Sequence, residues 1–153
     1  MTKFYKLIII FFFLIACGYQ PIFYGKKINF KIDNIKYDKS NKIDSKIYKI
    51  LNKYNNLENK NNIFDLEITS TKNKIITTKD DRGDPKSFRL GIEVNLKIIK
   101  NDKLIYSKNI NKSHDYKNNS KKFELKKYEN LITENFIDKI SEEVIIYILS
   151  LEG

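Results

Sequence analysis

Cys17 carries the only thiol in the chain, and the residues before it suggest a specific chemistry. Lys3 and Lys6 give the start of the chain positive charge, an unbroken apolar run covers residues 7–15, and Ala16 places a small residue directly before the thiol. This order is typical of an export signal, which predicts cleavage between Ala16 and Cys17. The apolar run is shorter than the ~20 residues that a membrane-spanning helix needs, so we do not expect a transmembrane anchor.

The tetrapeptide Leu14-Ile15-Ala16-Cys17 resembles the lipobox of bacterial lipoproteins. The resemblance implies that residues 1–16 are a signal peptide and that Cys17 carries a thioether-linked diacylglycerol and an acylated amino group. Two or more acyl chains hold a protein stably at a membrane without a spanning helix. The residue after the cysteine is Gly18 and not Asp, as in lipoproteins that are sorted to the outer membrane. We therefore expect a protein lipid-anchored at the cell outer membrane, on its periplasmic side.

Other reactive residue types are scarce. Ser113, His114 and Asp115 are the residue types of a hydrolytic triad, but neighbours along a strand point to opposite faces and cannot align as nucleophile, base and orienting group. A single histidine with dispersed carboxylates shows no metal-ligand spacing. The tripeptide Arg82-Gly83-Asp84 matches an adhesion motif, although turn chemistry accounts for its glycine and aspartate. We expect no enzyme, no cofactor and no metal site.

The chain is strongly basic, with 29 Lys and Arg against 19 Asp and Glu and a formal net charge of +10. Arginine occurs only at Arg82 and Arg89, so lysine supplies nearly all of the positive charge. Two interpretations remain open, a solvated lysine surface and attraction to an anionic partner such as a phosphorylated lipid. Nucleic acid is not expected as a partner because the export signal directs the chain out of the cytoplasm.

The first half of the mature chain alternates between extended and helical patterns. Residues 17–27 contain Pro21 and Gly25 and predict an extended tether. Period-two alternation then predicts a first strand at Ile28, Phe30 and Ile32 and a second at Phe64, Leu66 and Ile68. Between them, apolar residues step by three and four from Ile43 to Leu57, which predicts a helix with Asn41 or Asp44 as its N-cap.

The second half opens with a turn-forming segment at residues 80–86, where Gly83 can take a positive φ and Pro85 cannot donate a ladder hydrogen bond. The next strand has the strongest alternation in the chain, and its buried side is expected to hold Phe88, Leu90, Ile92, Val94, Leu96 and Ile98. A tight turn at Asn101-Asp102 joins it to a fourth strand with Leu104, Tyr106 and Ile110.

The C-terminal third predicts a long helix from about Lys122 to Leu151. Its apolar stripe is expected to comprise Leu125, Tyr128, Ile132, Phe136, Ile140, Val144, Tyr147 and Leu151, with Lys126, Glu129, Asn130, Glu134, Asp138 and Glu142 outside it. Because none of these elements can bury an apolar face alone, both helices should pack on one face of the sheet. The expected fold is an α/β (α+β) two-layer sandwich with a four-stranded, mostly antiparallel sheet, forming a single domain over residues 28–153.

Two local segments, CGYQPIFYG from Cys17 and DDRGDPKSFRL from Asp80, together with this order of elements, are similar to the lipopolysaccharide-assembly lipoproteins (LptE family) of Gram-negative bacteria. The resemblance implies a non-enzymatic plug and assembly partner of the outer-membrane β-barrel LptD in lipopolysaccharide transport. It assigns Cys17 as the anchor. It also assigns a barrel-insertion loop, formed by Asp80, Asp81, Arg82, Gly83, Asp84, Pro85 and Lys86.

The same resemblance suggests that basic residues at this loop contact the phosphates of lipopolysaccharide as charge-assisted donors, namely Lys79, Arg82, Lys86 and Arg89. Ordinary solvated loop charges are the competing interpretation of these four residues. A second function also stays open, an independent lipoprotein that faces the periplasm and binds anionic lipid or peptidoglycan. Crosslinking from residues 80–86 discriminates the two functions, because only the first predicts adducts with the lumen of a barrel.

Overall fold

The computed structural model describes residues 28–55 and 62–151, and the elements follow the expected order. Their bounds are β1 Phe30–Tyr37, α1 Lys42–Leu51, a 3-10 turn Asn52–Tyr54, β2 Asn62–Lys79, β3 Pro85–Lys100, β4 Lys103–Lys117 and α2 Lys122–Ser150. The predicted signal peptide, residues 1–16, and tether, residues 17–27, lie outside the described residues, as does Leu57 at the predicted end of the first helix.

The four strands form one sheet in the order β1-β2-β3-β4. β1 and β2 are parallel and are joined through α1, whereas β2-β3 and β3-β4 are antiparallel hairpins. Both helices pack on one face of this sheet, which we call the inner face, and the opposite face is the outer face. The predicted two-layer α+β sandwich with a mostly antiparallel four-stranded sheet is confirmed.

β3 forms the centre of the core, as its alternation predicts. Its inward residues Leu90, Ile92, Val94, Leu96 and Ile98 are buried, and Phe88 packs against the core at the edge. Each such side chain contributes on the order of 1.5–3 kcal/mol when it leaves water. A register slip of one residue would expose all of them, so the pairing of β3 with β2 and β4 is strongly determined.

α1 is fixed at its start by Asn41, one of the two predicted N-caps. The Asn41 side-chain oxygen accepts a hydrogen bond from the backbone N–H of Ile43 at 2.9 Å, which satisfies a donor that the helix leaves unpaired. Asp44, the other candidate, is instead fully buried and accepts a hydrogen bond from the Ser70 hydroxyl on β2. α1 ends at Leu51, earlier than predicted, and continues only as the short 3-10 turn.

α2 is as long as predicted, but the prediction of its buried face was partly wrong. Tyr128 was expected on the buried stripe and is 43% exposed, while Glu129 was expected outside it and is buried. The buried face is wider than one stripe, because Thr133, Ile137, Ser141, Ile145 and Ile148 also lie on it. Thr133 and Ser141 are tolerated there since their hydroxyls donate to the carbonyls of Glu129 and Ile137, one turn back.

The β2-β3 hairpin is longer than its alternation predicts. Residues 71–79 of β2 are all exposed, although they stay paired with β3 as far as Lys79 and Pro85. The connecting loop is therefore shorter than predicted, since Pro85 and Lys86 already belong to β3. At the other end of the sheet, Asn101 and Asp102 both have positive φ, 51° and 60°, which is the geometry of a tight hairpin turn between β3 and β4.

Candidate functional site

The candidate site is the hairpin tip, which we define as residues 79–89. Its loop is organised by one carboxylate. Asp80 Oδ1 accepts hydrogen bonds from the backbone N–H groups of Arg82 at 3.0 Å and Asp84 at 2.9 Å. The backbone closes the loop as well, because Gly83 N–H donates to the Asp80 carbonyl and Asp80 N–H to the Asp84 carbonyl, both at 2.9 Å. The loop is thus internally hydrogen-bonded before it meets any partner.

Gly83 adopts a φ of +87°, the positive value that the sequence predicts for this turn. A side chain at this backbone angle is strained even where space is open, and a Cβ built at Gly83 has no heavy atom within 4 Å. The glycine therefore serves the loop backbone and leaves an unobstructed surface at the tip.

The loop is also tied to the connection between β4 and α2. Asn118 N–H donates to the Lys86 carbonyl at 2.9 Å, and the Asn118 side-chain amide donates to the Pro85 carbonyl at 2.7 Å. An open groove lies between the loop and the connection. It is lined by Asp80, Arg82, Asp84, Pro85, Lys86, Asn118, Ser120 and Lys122. Sequence reasoning missed the second wall, because only the β3-β4 register brings residues 118–122 beside the loop.

The four basic residues proposed for phosphate contact have different surroundings. Lys79, Arg82 and Lys86 are exposed at the tip, and Arg82 lies 3.7 Å from the Asp80 carboxylate. Arg89 is different, since its Nε and Nη2 donate to the two carboxylate oxygens of Asp115 at 2.6 and 2.8 Å. This fork raises the pKa of Arg89 and lowers the pKa of Asp115. An incoming phosphate would compete with Asp115 for Arg89.

Below the tip, a buried carboxylate connects the hairpin to α2. Glu129 Oε1 accepts from Lys74 Nζ at 2.6 Å and from the Tyr116 hydroxyl at 2.7 Å. Burial alone would raise the pKa of Glu129, but the hydrogen bonds from Lys74 and Tyr116 and the charges of Lys74 and Lys126 outweigh it and lower the pKa. Burial and the bond to Glu129 in turn raise the pKa of Tyr116. These three side chains are named the Glu129 cluster.

Lys74 and its neighbour Lys72 stand where the alternation of β2 would place apolar residues. Lys74 Nζ also lies 4.0 Å from the centre of the Phe88 ring, and Lys72 Nζ donates to the Thr133 hydroxyl of α2 at 2.8 Å. Desolvation lowers the pKa of Lys72. The aliphatic parts of both side chains lie over the end of the core nearest the hairpin tip, while their charged ends reach groups on α2. The hairpin is therefore held to α2 by polar contacts just below the tip.

The triad residue types do not assemble along β4. His114 Nε2 lies 3.2 Å from the Tyr128 hydroxyl, whereas Asp115 points to the outer face and binds Arg89. Over residues 28–55 and 62–151, no group of three or more His, Cys, Asp and Glu side chains is arranged to hold a metal ion. In the same part of the chain, none of the helices is both long and apolar enough to span a bilayer. Ala16 and Cys17, the predicted cleavage and lipidation residues, lie outside it.

The sequence matches no family model and no curated protein sequence. Solved structures with the same fold are nevertheless found. Rare lipoprotein B from Shewanella oneidensis has a TM-score of 0.58 at 14% identity, over 78% of this chain and 99% of that chain. Lipoprotein B from Nitrosomonas europaea has a TM-score of 0.60 at 10% identity, over 83% and 87%. A minor lipoprotein from Acinetobacter baumannii has a TM-score of 0.54 at 12% identity, over 77% and 92%. At these identities the likeness establishes a shared fold.

Replacing the carboxylate of the Glu129 cluster should destabilise the protein in a pH-dependent way. We expect Glu129→Gln to lower the free energy of unfolding by about 1–2 kcal/mol at neutral pH, because hydrogen bonds to a charged group are lost. Since the folded-state pKa of Glu129 is lowered, the carboxylate stabilises the fold above its ordinary pKa of 4.5 and loses this effect as the pH falls through the folded-state value.

Urea denaturation at several pH values measures this difference. The control is Glu134→Gln on the same helix, whose half-exposed carboxylate pairs with Lys46 at the surface and should contribute less than about 1 kcal/mol. Equal losses for the two variants, or a Glu129→Gln deficit that grows as the pH falls below 4.5, would contradict the role given to this cluster.

Replacing the carboxylate that organises the loop should loosen the hairpin tip without unfolding the sheet. In Asp80→Ala, we expect the amide protons of Arg82 and Asp84 to exchange roughly fivefold faster, since each loses a hydrogen bond with a net value of about 1 kcal/mol. Amide hydrogen exchange measured by NMR reports both sites. Asp81→Ala is the matched control, and comparable acceleration in that variant would show that Asp80 has no special part in the loop.

Proposed function

We propose that this chain is a lipid-anchored plug and assembly partner of the outer-membrane barrel LptD, with a non-enzymatic role in lipopolysaccharide transport. The observation that carries the proposal is the shared fold, which extends over 99% of the rare lipoprotein B chain. The apolar run that ends at Ala16-Cys17 supports the lipid anchor independently. It is the pattern of an export signal in the sequence, and it does not depend on the fold.

The geometry of the hairpin tip suits insertion into the lumen of a barrel. The backbone groups of β2 and β3 are paired up to Lys79 and Pro85, and β4 lies beside β3 as far as Ser87, so only the loop projects beyond the sheet. The loop beyond them satisfies its own backbone through Asp80, so entry into a confined space would leave few unpaired polar groups. A loop ordered in advance also loses less conformational entropy on binding than a mobile loop does.

The charge at the tip supports a contact with phosphorylated lipid. Arg82 and Lys86 from the loop and Lys122 from the start of α2 line the same groove, and Lys79 is exposed nearby. Ammonium and guanidinium groups form short, strong hydrogen bonds to phosphate oxygens. Asp80 and Asp84 lie in the same groove and reduce its positive potential. Within this proposal, Arg89 acts mainly as the partner of Asp115.

The spread of lysine over the whole surface favours the alternative function, an independent lipoprotein that binds anionic lipid or peptidoglycan at the periplasmic side. With 29 basic against 19 acidic residues, much of the positive charge lies away from the hairpin tip. Such charge raises the local concentration of any polyanion without selecting one. This function needs no partner protein. It therefore predicts that the residues around Arg82 contact lipid or peptidoglycan and no barrel protein.

Photocrosslinking in cells separates the two functions. A photoreactive amino acid at position 82 should form adducts with residues inside a β-barrel, because the proposal places the tip in the lumen. The same probe at Lys103, in the turn region at the opposite end of the sheet, is the control and should not reach the lumen. Adducts from position 82 with lipid or peptidoglycan alone, together with a correctly assembled barrel in cells that lack this protein, would exclude the plug function.

A further inference from the structure

The outer face of the sheet is polar over most of its length. Its central positions are occupied by Thr, Asn, Glu and Ser side chains, namely Thr69, Thr71, Asn73, Glu93, Asn95, Asn109, Asn111 and Ser113. Neither helix covers this face, since both pack on the inner one. An uncovered sheet face usually carries solvated polar side chains, so a cluster of aliphatic side chains on it is an exception that needs a cause.

Aliphatic side chains gather on the outer face at one end of the sheet. Ile63 on β2 is 49% exposed, Leu104 and Ile105 on β4 are 58% and 41% exposed, and Ile99 on β3 is half-buried between them. The register brings them together, because Ile99 pairs with Asp65, two residues after Ile63, and with Leu104. We call these four residues the aliphatic patch.

A β-bulge enlarges the patch on β4. Ile98 pairs with Tyr106, but the next residue, Ile99, pairs with Leu104, so Ile105 is an extra residue on β4. A bulge turns side chains out of strict alternation. Here it leaves two consecutive aliphatic side chains, Leu104 and Ile105, exposed beside the Asn101-Asp102 turn.

The patch lies at the end of the sheet where β1 begins. Ile63 is paired with Lys31 near the start of β1, so the first described residue, Ile28, is close in sequence to a neighbour of the patch. Cys17 precedes Ile28 by 28 − 17 = 11 residues. Such a segment spans at most roughly 40 Å when fully extended. A lipid on Cys17 would hold this end of the domain close to a bilayer, with the hairpin tip at the other end.

Lysines lie at the same end of the sheet as the patch. Lys31 is next to Ile63 and is paired with Asp33 at 2.8 Å. Lys100 and Lys103 flank the Asn101-Asp102 turn, and Lys100 reaches the inner side of this end, where its Nζ donates to the Asn62 side chain at 2.7 Å and lies 5.3 Å from the centre of the Phe64 ring. Aliphatic side chains with lysines at the same end of the sheet match the boundary of an anionic bilayer, where acyl chains meet negatively charged headgroups.

We propose that the aliphatic patch is a bilayer-docking surface, on which Ile63, Leu104 and Ile105 enter the boundary of an anionic leaflet while lysines at the same end of the sheet meet its headgroups. The inference rests on the proposed lipid anchor at Cys17, which brings the patch to the membrane. A second copy of the chain fits less well, because four partly exposed aliphatic residues fall far short of the ~800 Å² per partner that stable protein interfaces bury.

The test compares Leu104→Cys with Ile75→Cys. Both residues are exposed on the outer face, at 58% and 51%, but at opposite ends of the sheet. Each variant is purified as the lipidated protein, in which the acylated Cys17 cannot react, and labelled with an environment-sensitive thiol fluorophore. Vesicles of phosphatidylcholine and phosphatidylglycerol carry bromine near the top of the acyl chains as a quencher. We expect about twofold quenching at position 104 and almost none at position 75.

The outcomes separate this inference from the proposed anchor. Lipidated protein that floats with vesicles while position 104 stays unquenched overturns the docking surface and leaves the anchor standing. If the label is already shielded from water without vesicles, the N-terminal segment covers the patch. If the shielding rises with protein concentration, a second copy of the chain covers the patch. Either result also overturns docking. If Cys17 accepts the fluorophore and the protein does not float, the anchor fails, and the docking surface that rests on it is overturned as well.

Discussion

The burial of the inner face of β3 beneath α2 is the interaction on which the rest of the structure depends. Leu90, Ile92, Val94, Leu96 and Ile98 are all buried, and among the described strands no other carries so long a buried row. Because both helices pack on this one face, no described helix covers the outer face, which is polar over most of its length. The sheet therefore has two free ends of different character, a charged hairpin tip at one and an aliphatic patch near the start of β1 at the other.

The inner face changes in chemistry toward the tip, and this change decides how the hairpin is held. Along β2 the buried residues Phe64, Leu66 and Ile68 give way to Ser70, Lys72 and Lys74. Hydrocarbon packing against α2 is thereby replaced by the Glu129 cluster and the bond from Lys72 to Thr133. A buried carboxylate is tolerated only when its partners offset its desolvation, so these contacts specify one position of the hairpin against the helix.

Local patterns predicted the fold well, but they predicted the contacts across it poorly. Alternation was sufficient to predict β3, and the residue types at Asp80 and Gly83 were sufficient to predict the loop. Each of these signals lies within a few neighbouring residues. The periodicity of α2 misplaced Glu129, because its partner Lys74 is 55 residues away and a lone charged residue is expected to face solvent. The pairing of Arg89 with Asp115 and the second wall of the groove depend on the β3-β4 register, which no local pattern contains.

The proposed orientation, with one end at a bilayer and the hairpin tip directed away from it, requires a lipid at Cys17. The most direct test is metabolic labelling of cells with a palmitate analogue, comparing the wild-type chain with Cys17→Ser. The account predicts label on the wild-type protein, no label on the variant, and a mature N-terminus that begins at residue 17. An unlabelled wild-type protein that retains residues 1–16 would contradict it.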